Sequence, residues 1–193
     1  GCYYTSNVKK YMLRLFLFAI ISEIPFNLIM GSSVFYPFHQ NVLWTFLLGV
    51  LSIQIIEKAK KKQKKWISFF VVCLVLLMDF LLGTITMVDY NAAGILTVLL
   101  FYFFRKKTWI SFAAQLVGLY YLNVVMLGNL YYPVTILGHH FEIAQQSFAL
   151  LALIPIWLYH GEQGYHSKWF KYFCYAFYPV HLLILVVIWQ WRI

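Results

Sequence analysis

Long apolar runs alternate with short polar connections along this chain, at 11–30, 41–56, 66–83, 85–104, 108–127, 140–159 and 170–190. A bilayer core of about 30 Å is crossed by about 20 residues of apolar helix. The pattern therefore predicts seven membrane-spanning helices. Two runs have short apolar cores, Ala92–Phe104 and Phe148–Tyr159, and reach spanning length only by including polar residues upstream. Helices satisfy their own backbone groups in lipid, and neither an internal repeat nor a long linker divides the sequence. The expected architecture is an all-α polytopic bundle forming a single domain, 1–193.

Composition supports the membrane class. The chain is 63% hydrophobic and only 11% charged, against roughly 25% charged residues in a soluble domain. The net charge of +9 would suggest nucleic acid in a soluble protein, but here the positives fall between apolar runs. Fourteen of the fifteen basic residues lie in alternate connections: Lys9 to Arg14, Lys58 to Lys65, Arg105 to Lys107, and Lys168 with Lys171. Stretches 31–40, 84–91 and 128–139 have none. Positive charge marks cytoplasmic loops, so the chain is expected to start in the cytoplasm, with its basic loops on the cytoplasmic side of the membrane. The expected partners are membrane lipids and not nucleic acid. Cys2, Cys73 and Cys174 offer neither a disulfide framework nor a metal spacing, so no metal is expected.

Depth along each run then orders the polar residues. Glu23 lies past the middle of the first run, and Asn41 and Thr45 open the second on one face. Asp79 sits in the outer half of the third run, and Asp89, Tyr90 and Asn91 precede the core of the fourth. Glu142, Gln145 and Gln146 open the sixth, and His181 stands near the middle of the seventh. Ionisable groups at such depth are costly and mark functional sites by default. Glu23 and His181 share a depth and are expected to pair. Tyr175, Tyr178 and His181 recur every three residues and share a stripe. Glu162 and His166 are spaced four apart, but glycines 161 and 164 point to a turn, and further zinc ligands are lacking.

Five segments carry a family resemblance: TSNVKKYMLRLFLFAIISEIPFNL (5–28), HQNVLWTFLLGVL (39–51), DYNAAGILTVLLFYFFR (89–105), QSFALLALIPIWLYHGEQG (146–164) and KYFCYAFYPVHLLIL (171–185). In this order they resemble the blocks of the TraX family, bacterial multi-pass proteins named for the F-pilin acetylation protein and similar to membrane acyltransferases. The resemblance implies two further spans upstream, the first with an Asp-His pair. GCYYT then resembles the end of the second, and the chain reads as N-terminally truncated. It also implies acetyl-CoA as donor and an amine or hydroxyl as acceptor, such as a protein N-terminus or an envelope molecule.

Acetyl transfer needs a base, a bound thioester and donors for the developing oxyanion. The catalytic candidates are His181 as base, with Glu23 or Asp89 orienting the imidazole. Asn41, Thr45, Tyr90 and Tyr178 are the substrate-binding candidates, Asn41 and Tyr178 as oxyanion donors. The rival class is a small proton- or ion-coupled transporter, for which the same buried acids would form a path.

Overall fold

The computed structural model describes residues 5, 7–128, 130–136, 139–161, 164 and 167–190. It is all-α in class, with helices α1 (Val8–Gly31), α2 (Val42–Lys62), α3 (Lys65–Ile85), α4 (Asn91–Phe103), α5 (Trp109–Tyr120), α6 (Leu153–Leu158) and α7 (Lys168–Gln190). A π-helical segment, Tyr121–Met126, extends α5, and a 3-10 segment, Gln145–Ala152, leads into α6.

Each of the seven predicted runs contains one of these helices. Five of the helices are long and apolar enough to cross a membrane, α5 counted with its extension. The two runs with short apolar cores give the two short helices. α4 rises about 20 Å at 1.5 Å per residue. The segment Gln145–Leu158 rises about 25 Å, because its 3-10 part climbs about 2 Å per residue.

The sequence did not anticipate a hairpin. Strand β1 (Tyr131–Ile136) pairs antiparallel with β2 (His139–Ala144), Tyr131 opposite Ala144 and Thr135 opposite His140. β2 occupies the start of the sixth run, so Glu142 lies on an exposed strand opposite Pro133 and not on a helix. The signal was present in YYPVTI, whose aromatic and β-branched residues favour extended backbone. The pair Glu162 and His166 lies outside the described residues.

The chain divides into two compact units, Gly1–Ile95 with Gln163–Ile193, and Leu96–Glu162. In the first, α1 packs on α2 and α7, and α2 packs on α3. The contacting faces follow the spacing of side-by-side helices, with Leu15, Ala19, Ser22 and Phe26 buried on α1 and Thr45, Gly49, Ser52, Ile56 and Ala59 buried on α2. Small residues let backbones approach closely. Large apolar residues such as Leu74, Leu77, Met78 and Leu81 of α3 point outward. An apolar exterior over a small-residue and polar interior is stable in lipid and not in water.

In the second unit, Gln115 of α5 is buried and acts at both ends of its amide. It donates to the Phe104 carbonyl at 2.7 Å and accepts from the Trp157 indole at 2.8 Å. Phe112 meets Trp157 edge to face. Lys107 donates to the carbonyls of Trp157 and Tyr159 near the end of α6, where a cation complements the helix dipole.

Candidate functional site

Asn41 joins α1 to α2. As the N-cap of α2, its Oδ1 accepts from the Leu43 amide at 3.1 Å, satisfying a donor that the helix start leaves open. Its Nδ2 donates to the Ala19 carbonyl at 2.9 Å and to Glu23 Oε2 on α1. Trp44, one turn further on, donates its indole N–H to the same Glu23 oxygen at 3.0 Å. Glu23 Oε1 is buried and has no hydrogen-bond partner among the described residues. One carboxylate oxygen is thus fixed by two N–H donors, and the other is buried without a partner among the described residues.

The connection between α3 and α4 supplies Asp89. It is a strained turn, with Met87, Tyr90 and Asn91 in the left-handed region at φ 50°, 61° and 48°. Such conformations cost about 1 kcal/mol or more apiece for non-glycine residues and cluster at functional sites. The turn is held by the segment before α2: Gln40 donates its amide to Met87 O at 3.0 Å, and the Asp89 amide donates to Gln40 O at 2.8 Å. The Thr45 hydroxyl donates to the Asp89 carbonyl at 2.8 Å. Glycines permit the approach. A Cβ on Gly83 would lie 2.6 Å from Ala92 Cα, and one on Gly94 would lie 2.8 Å from Thr45 Cγ2.

The Asp89 carboxylate faces His39, with Oδ1 3.4 Å from Nε2. Burial raises the Asp89 carboxyl from its ordinary value, while His39 and the Tyr90 backbone amide pull it back. Phe26 of α1 stacks on the His39 ring at 5.6 Å and fixes its plane. Tyr90 itself is exposed.

α7 brings Tyr178 and His181. The Val42 backbone amide hydrogen-bonds to the Tyr178 hydroxyl, which lies within electrostatic reach of Glu23, Asp89 and Tyr90. Its own O–H proton is therefore available to a further acceptor. α7 is anchored on α1 by Phe18 stacked on Tyr175 at 5.3 Å, with the Arg14 guanidinium over the same ring. His181 Nδ1 lies 3.1 Å from the Phe177 carbonyl. A carbonyl only accepts, so Nδ1 is the donor in this contact and Nε2 is the ring nitrogen left for other partners.

The structure thus gathers Glu23, Asn41, Thr45, Asp89, Tyr90 and Tyr178 at the start of α2 and the turn before α4. It does not join Glu23 to His181: among the described residues no hydrogen bond or ion pair links them, and Glu23 is held by Asn41 and Trp44 instead. The imidazole that faces a carboxylate is that of His39. Asn41 is also reassigned. Both hydrogens of its amide are engaged, so it positions Glu23 and is not free to hold an oxyanion. His39, Trp44 and Ser52 were not singled out from the sequence. Trp44 alone had a signal, its place one turn after Asn41. Ser52 donates to Asp79 Oδ1 at 2.7 Å between α2 and α3, and both residues are buried.

Apolar helices of spanning length packed over a buried polar cluster define a helical multi-pass membrane protein. The chain belongs to the TraX protein family, whose model matches residues 3–189. No curated protein and no solved structure matches the chain.

Proposed function

We propose that this protein transfers an acetyl group from acetyl-CoA to an amine or hydroxyl acceptor at the α1–α2–α7 polar cluster. The family supports a membrane protein of the pilin-modifying kind, and the acetyl chemistry is what its resemblance to membrane acyltransferases implies. One observation carries the site: the Tyr178 hydroxyl accepts from the Val42 amide within electrostatic reach of both Glu23 and Asp89.

His181 Nε2 removes the proton from the acceptor as the nitrogen or oxygen attacks the thioester carbon. Tyr178 donates to the tetrahedral oxygen, and the bond to sulfur breaks as the thiolate takes the proton. Glu23, fixed through one oxygen, orients the acceptor with the other. The His39–Asp89 pair balances charge at the mouth of the site. Acetyl acceptors in the envelope and the inner membrane of a bacterial cell remain the expected setting, with the basic connections facing the cytoplasmic donor.

The test uses the full-length protein in membrane vesicles with radiolabelled acetyl-CoA. Tyr178→Phe and His181→Ala should each lower label transfer by about 100-fold or more. Near-parental transfer in both would end the proposal. Uptake of a solute with no covalent product would favour the transporter reading, for which the buried Ser52–Asp79 pair is the supporting observation.

A further inference from the structure

A second feature lies at the opposite end of α2. The α2–α3 turn is closed at a single acceptor, the Ala59 carbonyl, which takes the Gln63 amide at 2.9 Å and the Ser68 hydroxyl at 3.1 Å. Beside this closure is a groove of about 300 Å³ lined by Lys60, Gln63, Lys65, Ser68, Phe69 and Val72. Its chemistry is graded. Two ammonium groups and an amide lie at the turn, and Phe69 and Val72 follow one another down α3. α3 begins without a side-chain cap from Lys64, so its dipole adds to the positive end. Trp66, Phe69 and Phe70 are exposed on the first turns of α3, with Trp66 edge-on to Phe70. Exposed aromatics at a helix end mark headgroup depth.

We propose that this groove binds an anionic phospholipid, with the phosphate between Lys60 and Lys65 and the first acyl carbons along Phe69 and Val72. A free phosphate satisfies the lysines but leaves the apolar wall uncovered. A zwitterionic lipid covers the wall but adds its own cation beside the ammonium groups. Only a headgroup of net negative charge on an acyl chain meets both ends. The lysine run is then a specific site at one pair of positions, in addition to a diffuse charge on the membrane surface.

Native mass spectrometry of the detergent-purified full chain, titrated with phosphatidylglycerol or phosphatidylcholine, tests this. Phosphatidylglycerol should bind more tightly, and the double variant K60Q/K65Q should weaken it by about 30-fold, the effect of two lysine–lipid contacts. K61Q/K62Q removes the same charge outside the groove and should change binding by less than about fivefold. Val72→Trp fills the groove without altering charge and should also displace the lipid, so a misfolded lysine variant does not leave the question undecided. Equal binding of the two lipids overturns the proposal, as does equal loss in the two lysine variants. Displacement of phosphatidylglycerol by equimolar inorganic phosphate also overturns it, because the site then takes a soluble anion.

Discussion

Glu23 and Asp79 are both acids on apolar spans, and α2 supplies the partner of each, yet the two are held differently. Glu23 receives two N–H donors on one oxygen, from Asn41 and Trp44, near the end of α2 where Asp89 and Tyr178 also lie. Asp79 receives one hydroxyl, from Ser52, and its second oxygen is buried without a partner among the described residues. Each acid thus keeps one buried oxygen without a partner among the described residues, and the difference lies in the neighbours: Glu23 sits with Asn41, Trp44 and Tyr178, and Asp79 sits between α2 and α3 with Ser52. An acid enclosed between two helices and paired across them fixes how they pack. On the proposed mechanism Glu23 is the working carboxylate and Asp79 the structural one.

The most damaging way to break the distinction is Asn41→Leu. It removes the α2 cap and an amide donor of Glu23, and unfolding free energy in mild detergent should fall by about 3 kcal/mol, with transfer lost as well. Next, Glu23→Gln should lower acetyl transfer by about 100-fold while leaving the unfolding midpoint nearly unchanged. Asp79→Asn should keep transfer within about threefold, since an amide still pairs with the Ser52 hydroxyl. A large loss in Asp79→Asn, with the fold intact, would reverse the assignment. Ser52→Ala strands Asp79 and should cost about 1–2 kcal/mol of stability with no change in transfer per folded molecule.

The smallest effect is expected from Asp89, which lies outside the spanning helices. Its carboxyl is raised by burial above 3.8, so the folded protein binds this proton more tightly than the unfolded chain. Its contribution to stability is therefore greatest below the unfolded value and declines as pH rises through the folded one. If the ionised form pairs with His39 during transfer, the acid limb of kcat/KM is shifted upward from the ordinary aspartate position. Asp89→Asn should abolish that limb, which a pH profile of initial rates would show.

The membrane architecture was legible because hydrophobic run length and basic connections are local properties of the sequence. Even the weakness of α4 and α6 was visible in the short cores Ala92–Phe104 and Phe148–Tyr159. Depth was legible as well: Glu23, Asn41, Asp89 and Tyr178 can be placed at similar depth from the sequence, and the structure sets them near one another. Rotation about the helix axis was not. Equal depth suggested that Glu23 meets His181, but packing of α1 on α2 turns Glu23 toward Asn41 and Trp44. His39 was missed because it sits in a connection, where no apolar run drew attention to it. Its partnership with Asp89 depends on the Gln40–Val88 bridge, a contact between segments nearly fifty residues apart.

The two glycines beside the Asp89 turn make its position a matter of tolerance. Gly83 and Gly94 leave no room for a methyl group against Ala92 on one side and Thr45 on the other. A single added carbon at either would act as a shim, displacing Asp89 from His39 without touching a polar atom. The reach of the carboxylate is thus set by hydrogen atoms on two backbone carbons, which makes alanine at these positions a tool for shifting the turn without altering its polar groups.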